Sequence, residues 1–196
     1  MKRCFASVVA AALLLTSGCR VQVDKSKDGG DKNVKIDTPM GGLHVRTDQM
    51  SAADVGLPVY PGAQADHGGG DKSADVHMGF GKWQLHVKVV TYQTPDSRDQ
   101  VMTFYRKALG RYGDVIQCNN DNPVGTPTTT REGLTCSDNG GKKNVHVDES
   151  DGLNLRAGSK RHQHLIEIKK GDSSNTKFSL VELELPDIED NSSDSQ

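Results

Sequence analysis

The strongest constraint on the fold lies around Gly81-Lys82, where apolar and polar residues alternate on both sides of a two-residue turn. Glycine first in such a loop suits a type II′ turn, whose twist matches that of two antiparallel strands. With that turn, Phe80 pairs with Trp83, Met78 with Leu85 and Val76 with Val87, all on one face. His77 then falls beside His86, and Asp75 beside Lys88, on the other face. A slip of one residue would mix the two sets, so the pattern itself specifies the register. Past Val89 the apolar positions change parity, to Val90 and Tyr92, and a β-bulge near Val89 or Val90 would account for the change.

A second hairpin is predicted at 162–170 and 176–185, turning through 171–175, with Ile168 beside Phe178, Ile166 beside Leu180 and Leu165 beside Val181. The segment 33–47 reads as a third, turning at Gly41-Gly42 so that Met40 faces Leu43, Thr38 faces Val45 and Asp37 faces Arg46. Val34, Ile36, Met40, Leu43 and Val45 then share a face. A connector with one short helical turn follows at 48–57, and Tyr60-Pro61-Gly62-Ala63 has the pattern of a type II turn. Short strands are expected at 115–118 and 134–136, and 144–148 is expected to pair with 153–157 around Asp151-Gly152.

One helix is predicted, over 96–112. Asp96 caps it, Asp99 sits near its positive end, and Val101, Phe104, Tyr105, Ala108, Leu109 and Tyr112 recur at helical spacing. Gly113 is placed to stop it. The stripe needs a surface, and the apolar face of the Gly81-Lys82 hairpin is the one expected to receive it. The fold class is therefore α+β: a mostly antiparallel sheet built from hairpins, with one main amphipathic helix packed on it.

The chain ends constrain its address. Lys2 and Arg3 precede an apolar run at 5–15, and Thr16-Ser17-Gly18 are small residues directly before Cys19. That order is a secretory signal peptide over 1–18. Its Ser-Gly-Cys ending resembles a bacterial lipobox, in which the cysteine is lipidated and the chain is cut before it. Thr16 stands where such motifs usually carry Leu. An ordinary cleaved signal and an uncleaved anchor are the alternatives. The run is too short to span a bilayer, which takes roughly 20 apolar residues. Residues 19–32 read as the lipidated Cys19 and a charged tether, 33–57 as the hairpin and connector, 58–186 as the α+β domain, and 187–196 as a disordered acidic tail. Arg20 is not the Asp that favours inner-membrane retention, which tilts the address of a periplasm- or surface-facing lipoprotein toward the outer membrane.

Cys4 leaves with the leader and Cys19 takes the lipid, so Cys118 and Cys136 remain to pair in an oxidising compartment. Their separation fits neither Cys-x-x-Cys redox chemistry nor a zinc spacing. Losing Lys2 and Arg3 takes the basic count from 24 to 22 against 26 acidic residues, a net charge near −4. That balance, with a single Trp, argues against nucleic acid as a partner.

Tyr60-Pro61-Gly62-Ala63, Thr94-x-Asp96-Ser97 and Val101-x-x-Phe104-Tyr105-x-x-x-Leu109 together resemble a group of bacterial envelope lipoproteins with no established activity. In that group a Tyr-Pro-Gly-Ala turn precedes a strand and a helix containing Phe-Tyr-x-x-x-Leu. The resemblance spans about residues 55–118 and implies an envelope location, with no site residues.

Chemistry is concentrated in histidines. The last hairpin sets His164 beside Glu182 and His162 beside Glu184, all four on one face, a donor set suited to a divalent metal such as zinc. Two exposed cross-strand His–Glu pairs are the bland alternative, and Lys160 and Arg161 nearby favour it by repelling cations. His77 and His86 form a second, two-ligand candidate, or a plain polar sheet surface. His67-Gly68-Gly69-Gly70 resembles an esterase oxyanion segment, but no Gly-x-Ser-x-Gly elbow accompanies it. Gly69-Gly70-Asp71-Lys72 lacks the spacing of a phosphate loop. The expected role is a non-enzymatic, lipid-anchored envelope module that binds a protein or other envelope partner; the alternative is a periplasmic metal-binding or metalloenzyme domain on the C-terminal hairpin.

Overall fold

The computed structural model describes residues 19–25, 32–47, 50–66, 73–138, 150–169 and 175–186. The expected signal peptide, the glycine segment 67–72, the strand expected at 144–148 and the acidic segment 187–196 lie outside the described residues.

Strands β1 (Arg20–Lys25), β2 (Lys32–Thr38), β3 (Gly41–Thr47), β4 (Gln64–Ala65), β5 (Ser73–Phe80) and β6 (Trp83–Thr94) precede helix α1 (Arg98–Leu109). Strands β7 (Ile116–Asn119), β8 (Asn122–Pro123), β9 (Ser150–Gly158), β10 (His162–Lys169) and β11 (Thr176–Glu184) follow it. They form one 11-stranded sheet in the order β1-β2-β3-β5-β6-β11-β10-β9-β7-β8, with β4 beside β6. Every pairing is antiparallel. The α+β class, dominated by antiparallel hairpins, is thus what the chain adopts.

Both hairpins with well-marked turns take the expected registers. Phe80 pairs with Trp83 and Val76 with Val87. Ile168 pairs with Phe178, His164 with Glu182 and His162 with Glu184.

The hairpin at 33–47 forms, but it turns at Pro39-Met40, so Val34 pairs with Val45 and Ile36 with Leu43. Pro39 suits the second position of a turn, and the Thr38 hydroxyl donates to the Gly41 carbonyl (2.7 Å) and accepts from the Gly41 N–H (3.1 Å). Gly41 is needed inside the strand instead, because a Cβ there would stand 2.1 Å from the Gly79 carbonyl oxygen of β5. Met40, expected among the apolar residues, is 82% exposed at the turn tip.

Other expectations are corrected. Arg20–Lys25 is a strand paired with β2, not a tether, because Val21 and Val23 sit opposite Ile36 and Val34 and continue their face. The boundary between 33–57 and 58–186 falls inside one sheet, since β3 pairs with β5. No bulge interrupts β6: its pairing runs unbroken from Ser73–Val90 to Phe80–Trp83 and on along β11. Asp151-Gly152 lies within β9 and makes no turn. Leu134–Cys136 does not join a strand, although Leu134 and Cys136 are buried.

The change of parity at Val90 has another cause. Directly paired residues share a face, so Val90, Tyr92, Leu180, Phe178, Ile166, Ile168 and Leu155 line the face that carries His77, His86 and Lys88. These residues form one buried cluster with Val101, Tyr105 and Leu109 of α1 and with Ala52 and Val55 of the short 3-10 turn Ala52–Val55. Phe178 is its centre, with the Tyr92 ring stacked at 5.9 Å and the Tyr105 ring at 5.6 Å. Helix α1 therefore does not lie on the Val76–Met78–Leu85–Val87 face where it was expected.

The cap of α1 also moves by one residue. Ser97 and Gln100 form a capping box, whereas Asp96 accepts a 2.7 Å hydrogen bond from the Tyr60 hydroxyl and so ties the Tyr-Pro-Gly-Ala turn to the helix start. The opposite face, at β7 and β9, is covered by the loop closed by Cys118–Cys136, whose Cα atoms are 5.7 Å apart. Ile116, Cys118, Leu134 and Cys136 make a second small buried cluster there. Gln163, wholly buried, holds the loop by donating to the carbonyls of Asp138 (2.9 Å) and Lys160 (3.0 Å).

Two measurements check this architecture. Phe178→Ala should lower the unfolding free energy by roughly 3–5 kcal/mol in urea titrations, the range for emptying a large core site. Reducing Cys118–Cys136 should cost roughly 2–5 kcal/mol. Identical melting of oxidised and reduced protein would contradict the second expectation.

Candidate functional site

The register that sends Val90 and Ile166 into the core sends the residues two and four places toward the other end of each strand out of it. One row across the sheet reads Lys35, His44, His77, His86, Glu184 and His162 on β2, β3, β5, β6, β11 and β10. The next row toward the core reads Asn33, Arg46, Asp75, Lys88, Glu182 and His164. The two candidate pairs drawn from sequence, His162/His164 with Glu182/Glu184 and His77 with His86, are therefore parts of one band. Every histidine among the described residues, five in all, belongs to it.

The band is joined by specific contacts. His77 and His86 have ring centroids 5.4 Å apart, and His44 and His77 6.3 Å. His86 Nε2 lies 2.6 Å from Asp75 Oδ1, and His44 Nε2 lies 3.0 Å from Asp37 Oδ1. Glu184 bridges the halves, with one carboxylate oxygen 3.9 Å from His86 Nδ1 and the other 3.9 Å from His162 Nε2. Lys88 donates to Glu182 Oε2 at 2.8 Å, and His162 Nε2 lies 2.9 Å from Glu182 Oε1.

His164 is the anchored member. It is 5% exposed, and its Nδ1 lies 3.1 Å from the Val55 carbonyl oxygen. A carbonyl only accepts, so Nδ1 carries the proton and Nε2 keeps its lone pair. The Tyr112 ring stacks on the imidazole, with centroids 3.6 Å apart and planes 17° apart, and the Tyr112 hydroxyl donates to the Gly56 carbonyl. Gly56 permits this: at φ +70° it favours glycine, and a Cβ there would lie 2.5 Å from the Tyr112 oxygen and 3.2 Å from His164 Cε1. Burial lowers the His164 pKa below the ordinary histidine value despite the Val55 contact, so the ring is neutral at neutral pH. Burial pushes Glu182 upward, but hydrogen bonds from Lys88 and His162 outweigh it and leave the carboxyl lowered and ionised.

His162, His164 and Glu182 each offer a donor atom, and the three atoms lie within 4.8 Å of one another. Glu184, the fourth residue of the expected set, stands at the rim, beyond this triplet and half exposed. His77 and His86 are brought together, but His77 engages Gln84 (2.9 Å) while His86 lies against Asp75 and near Glu184, and among the described residues only His162, His164 and Glu182 form a close triplet of donors. Cys19 lies exposed at the start of β1, and Cys118 and Cys136 are bonded to each other. Sequence reasoning missed His44, Tyr112 and the Val55 carbonyl. The parity of His44 opposite Leu43 was visible, but its adjacency to His77 depends on β3 pairing with β5, which no turn signals.

A cleft of about 230 Å³ adjoins the inner row, floored by Asn33, Arg46, Asp75 and Lys88 and walled by Met50 and Asp54. It combines two cationic with two anionic side chains and so favours neither sign of ligand.

The Lys88–Glu182 link is the test of this geometry. Lys88→Met should destabilise the protein by about 1–3 kcal/mol, because it strips a partner from a carboxylate whose side chain is 12% exposed. Adding Glu182→Leu should recover most of that loss in denaturant titrations; no recovery would mean the two side chains act separately.

Compared with known proteins, the chain matches no protein-family model, no curated protein and no solved structure.

Proposed function

We propose that this chain is an exported, lipid-anchored module of the bacterial envelope whose work is binding, not catalysis. The observation that carries the reading is the band itself: titratable side chains from six adjacent strands on one sheet face, none of them, among the described residues, set as a nucleophile and base. Cross-strand rows of this kind make a broad contact surface. A reacting centre would instead need a donor set converging on one reacting atom. Cys19 stands exposed at the start of an edge strand, where a lipid would not disturb the sheet. Among the described residues no helix is long and apolar enough to cross a membrane, and the reading takes a lipid on Cys19 as the attachment. The resemblance to envelope lipoproteins agrees with the location and adds no activity.

Two measurements in a bacterial host test it. Cys19→Ser should abolish incorporation of a labelled fatty acid and release the chain from membranes; unchanged labelling would end the anchor reading. A photo-reactive side chain at position 77, on the band, should cross-link to an envelope component, whereas one at position 124, exposed on the disulfide loop, should not. Equal capture at both positions would remove the band as the contact surface.

A further inference from the structure

We propose that His162, His164 and Glu182 bind one divalent transition-metal ion of the zinc or copper(II) class. The inference deepens the binding reading above by naming a ligand for the band, and it does not depend on the lipid anchor.

The donor set selects the class of ion. Two imidazole nitrogens and one carboxylate oxygen suit zinc and copper(II); calcium and magnesium prefer all-oxygen cages. Donor atoms around a tetrahedral zinc at about 2.0–2.1 Å stand some 3.3 Å from one another. The three here lie within 4.8 Å of one another, and closing to that spacing falls to the side chains of His162 and Glu182. His162 has the freedom to do so, its side chain being half exposed. His164 does not need to move. Its Nδ1 proton is held by the Val55 carbonyl and its ring is clamped by Tyr112, so the Nε2 lone pair is fixed in advance. A backbone carbonyl on the far nitrogen is the usual support of a metal-bound histidine.

Glu182 is prepared in the same way. Lys88 holds its Oε2 and leaves Oε1 facing His162. For binding, His162 takes the tautomer protonated at Nδ1, so that Nε2 offers a lone pair to the ion in place of the hydrogen it shares with Glu182. The positive charge of Lys88 does not exclude a cation, because Asp75, Glu182 and Glu184 all act on it. Three carboxylates thus stand against Lys88 at the site. Arg111, whose charge also reaches His164, is turned onto the Tyr112 ring, 4.8 Å from its centroid. Glu184, 3.9 Å from His162 Nε2, or a water completes the coordination.

The experiment uses the full chain purified in detergent and stripped with a chelator. Zinc titrated calorimetrically should bind one ion per chain and raise the melting temperature, with magnesium and calcium doing neither. Copper(II) should give an electron paramagnetic resonance spectrum with hyperfine coupling to two imidazole nitrogens. His162→Ala and Glu182→Gln should each weaken zinc binding by roughly 10-fold or more, while His44→Ala, at the far end of the band, should bind as the unaltered chain does. His162→Ala removes an exposed side chain, so its fold can be confirmed by circular dichroism. No binding by the unaltered chain, binding unchanged in His162→Ala, or binding lost in His44→Ala would each overturn the assignment. Cys19→Ser should bind zinc normally, which separates failure of this site from failure of the anchor.

Discussion

The constraint on which the rest depends is the unbroken pairing of β6 with β5 on one side and β11 on the other. The twelve residues of this strand keep one register with each neighbour, Trp83 to Val90 with β5 and His86 to Thr94 with β11. Because side chains alternate with period two, that register decides at once which residues from the two halves of the sheet share a face. Val90 and Tyr92 align with Leu180 and Phe178, and these with Ile166 and Ile168, to make the bed for α1. The same alignment, continued two and four residues outward, brings histidines from the N-terminal and C-terminal hairpins into one band. A slip of one residue between β6 and β11 would turn Phe178, Leu180 and Glu182 to the face opposite Val90 and Lys88 and destroy both.

The two faces divide the work. One carries α1 and the 3-10 turn over its C-terminal strands, encloses His164 and Glu182 of the inner polar row, and leaves His77 and His162 of the outer row exposed. The other is apolar across the N-terminal strands, with Val76, Met78, Leu85 and Val87 partly buried, and is covered near β7 and β9 by the disulfide loop. A chain with a hydrophobic fraction of 34% cannot cover both faces of so wide a sheet with helices. It covers one half of one face with a helix and staples a loop over part of the other, where the disulfide offsets the entropy of a long irregular segment.

What the sequence disclosed and what it hid follow from the range of the interactions. The registers of β5–β6 and β10–β11 were legible because each joins neighbours through a short connection and alternates cleanly, so turn chemistry and pattern agree. Asp37 to Arg46 was misaligned because two glycines looked like turn residues, when Gly41 is small to admit the Gly79 carbonyl of the next strand. A close approach between strands leaves no local mark distinct from a turn. Arg20–Lys25 resembled a tether because its charged residues alternate with only two valines, and only pairing with β2 reveals their phase. The supposed bulge in β6 arose from assigning one buried face to a strand that has two, each covered over a different part of its length. His44 and Tyr112 were out of reach for the same reason: their partners are set by strand order and helix placement, which are long-range choices.

Where the histidines sit along the strand then explains why only some are chemically poised. Along β10 burial falls in steps on one face, from Ile166, fully enclosed, through His164, 5% exposed, to His162, exposed. The site therefore straddles the rim of the core. On the inner side, low polarity keeps His164 neutral and makes its hydrogen bond to Val55 strong enough to fix the ring. On the outer side, water reaches His162 and Glu184 and lets a ligand enter. Among the described residues no backbone carbonyl or aromatic ring of the helical layer is set against His77 or His86, and they engage Gln84 and Asp75 instead. Two histidine pairs of similar sequence appearance thus differ through one element, the segment from Val55 to Gly56 that Tyr112 holds over β10. It is this edge of the helical layer that converts one end of a polar sheet surface into a fixed donor set.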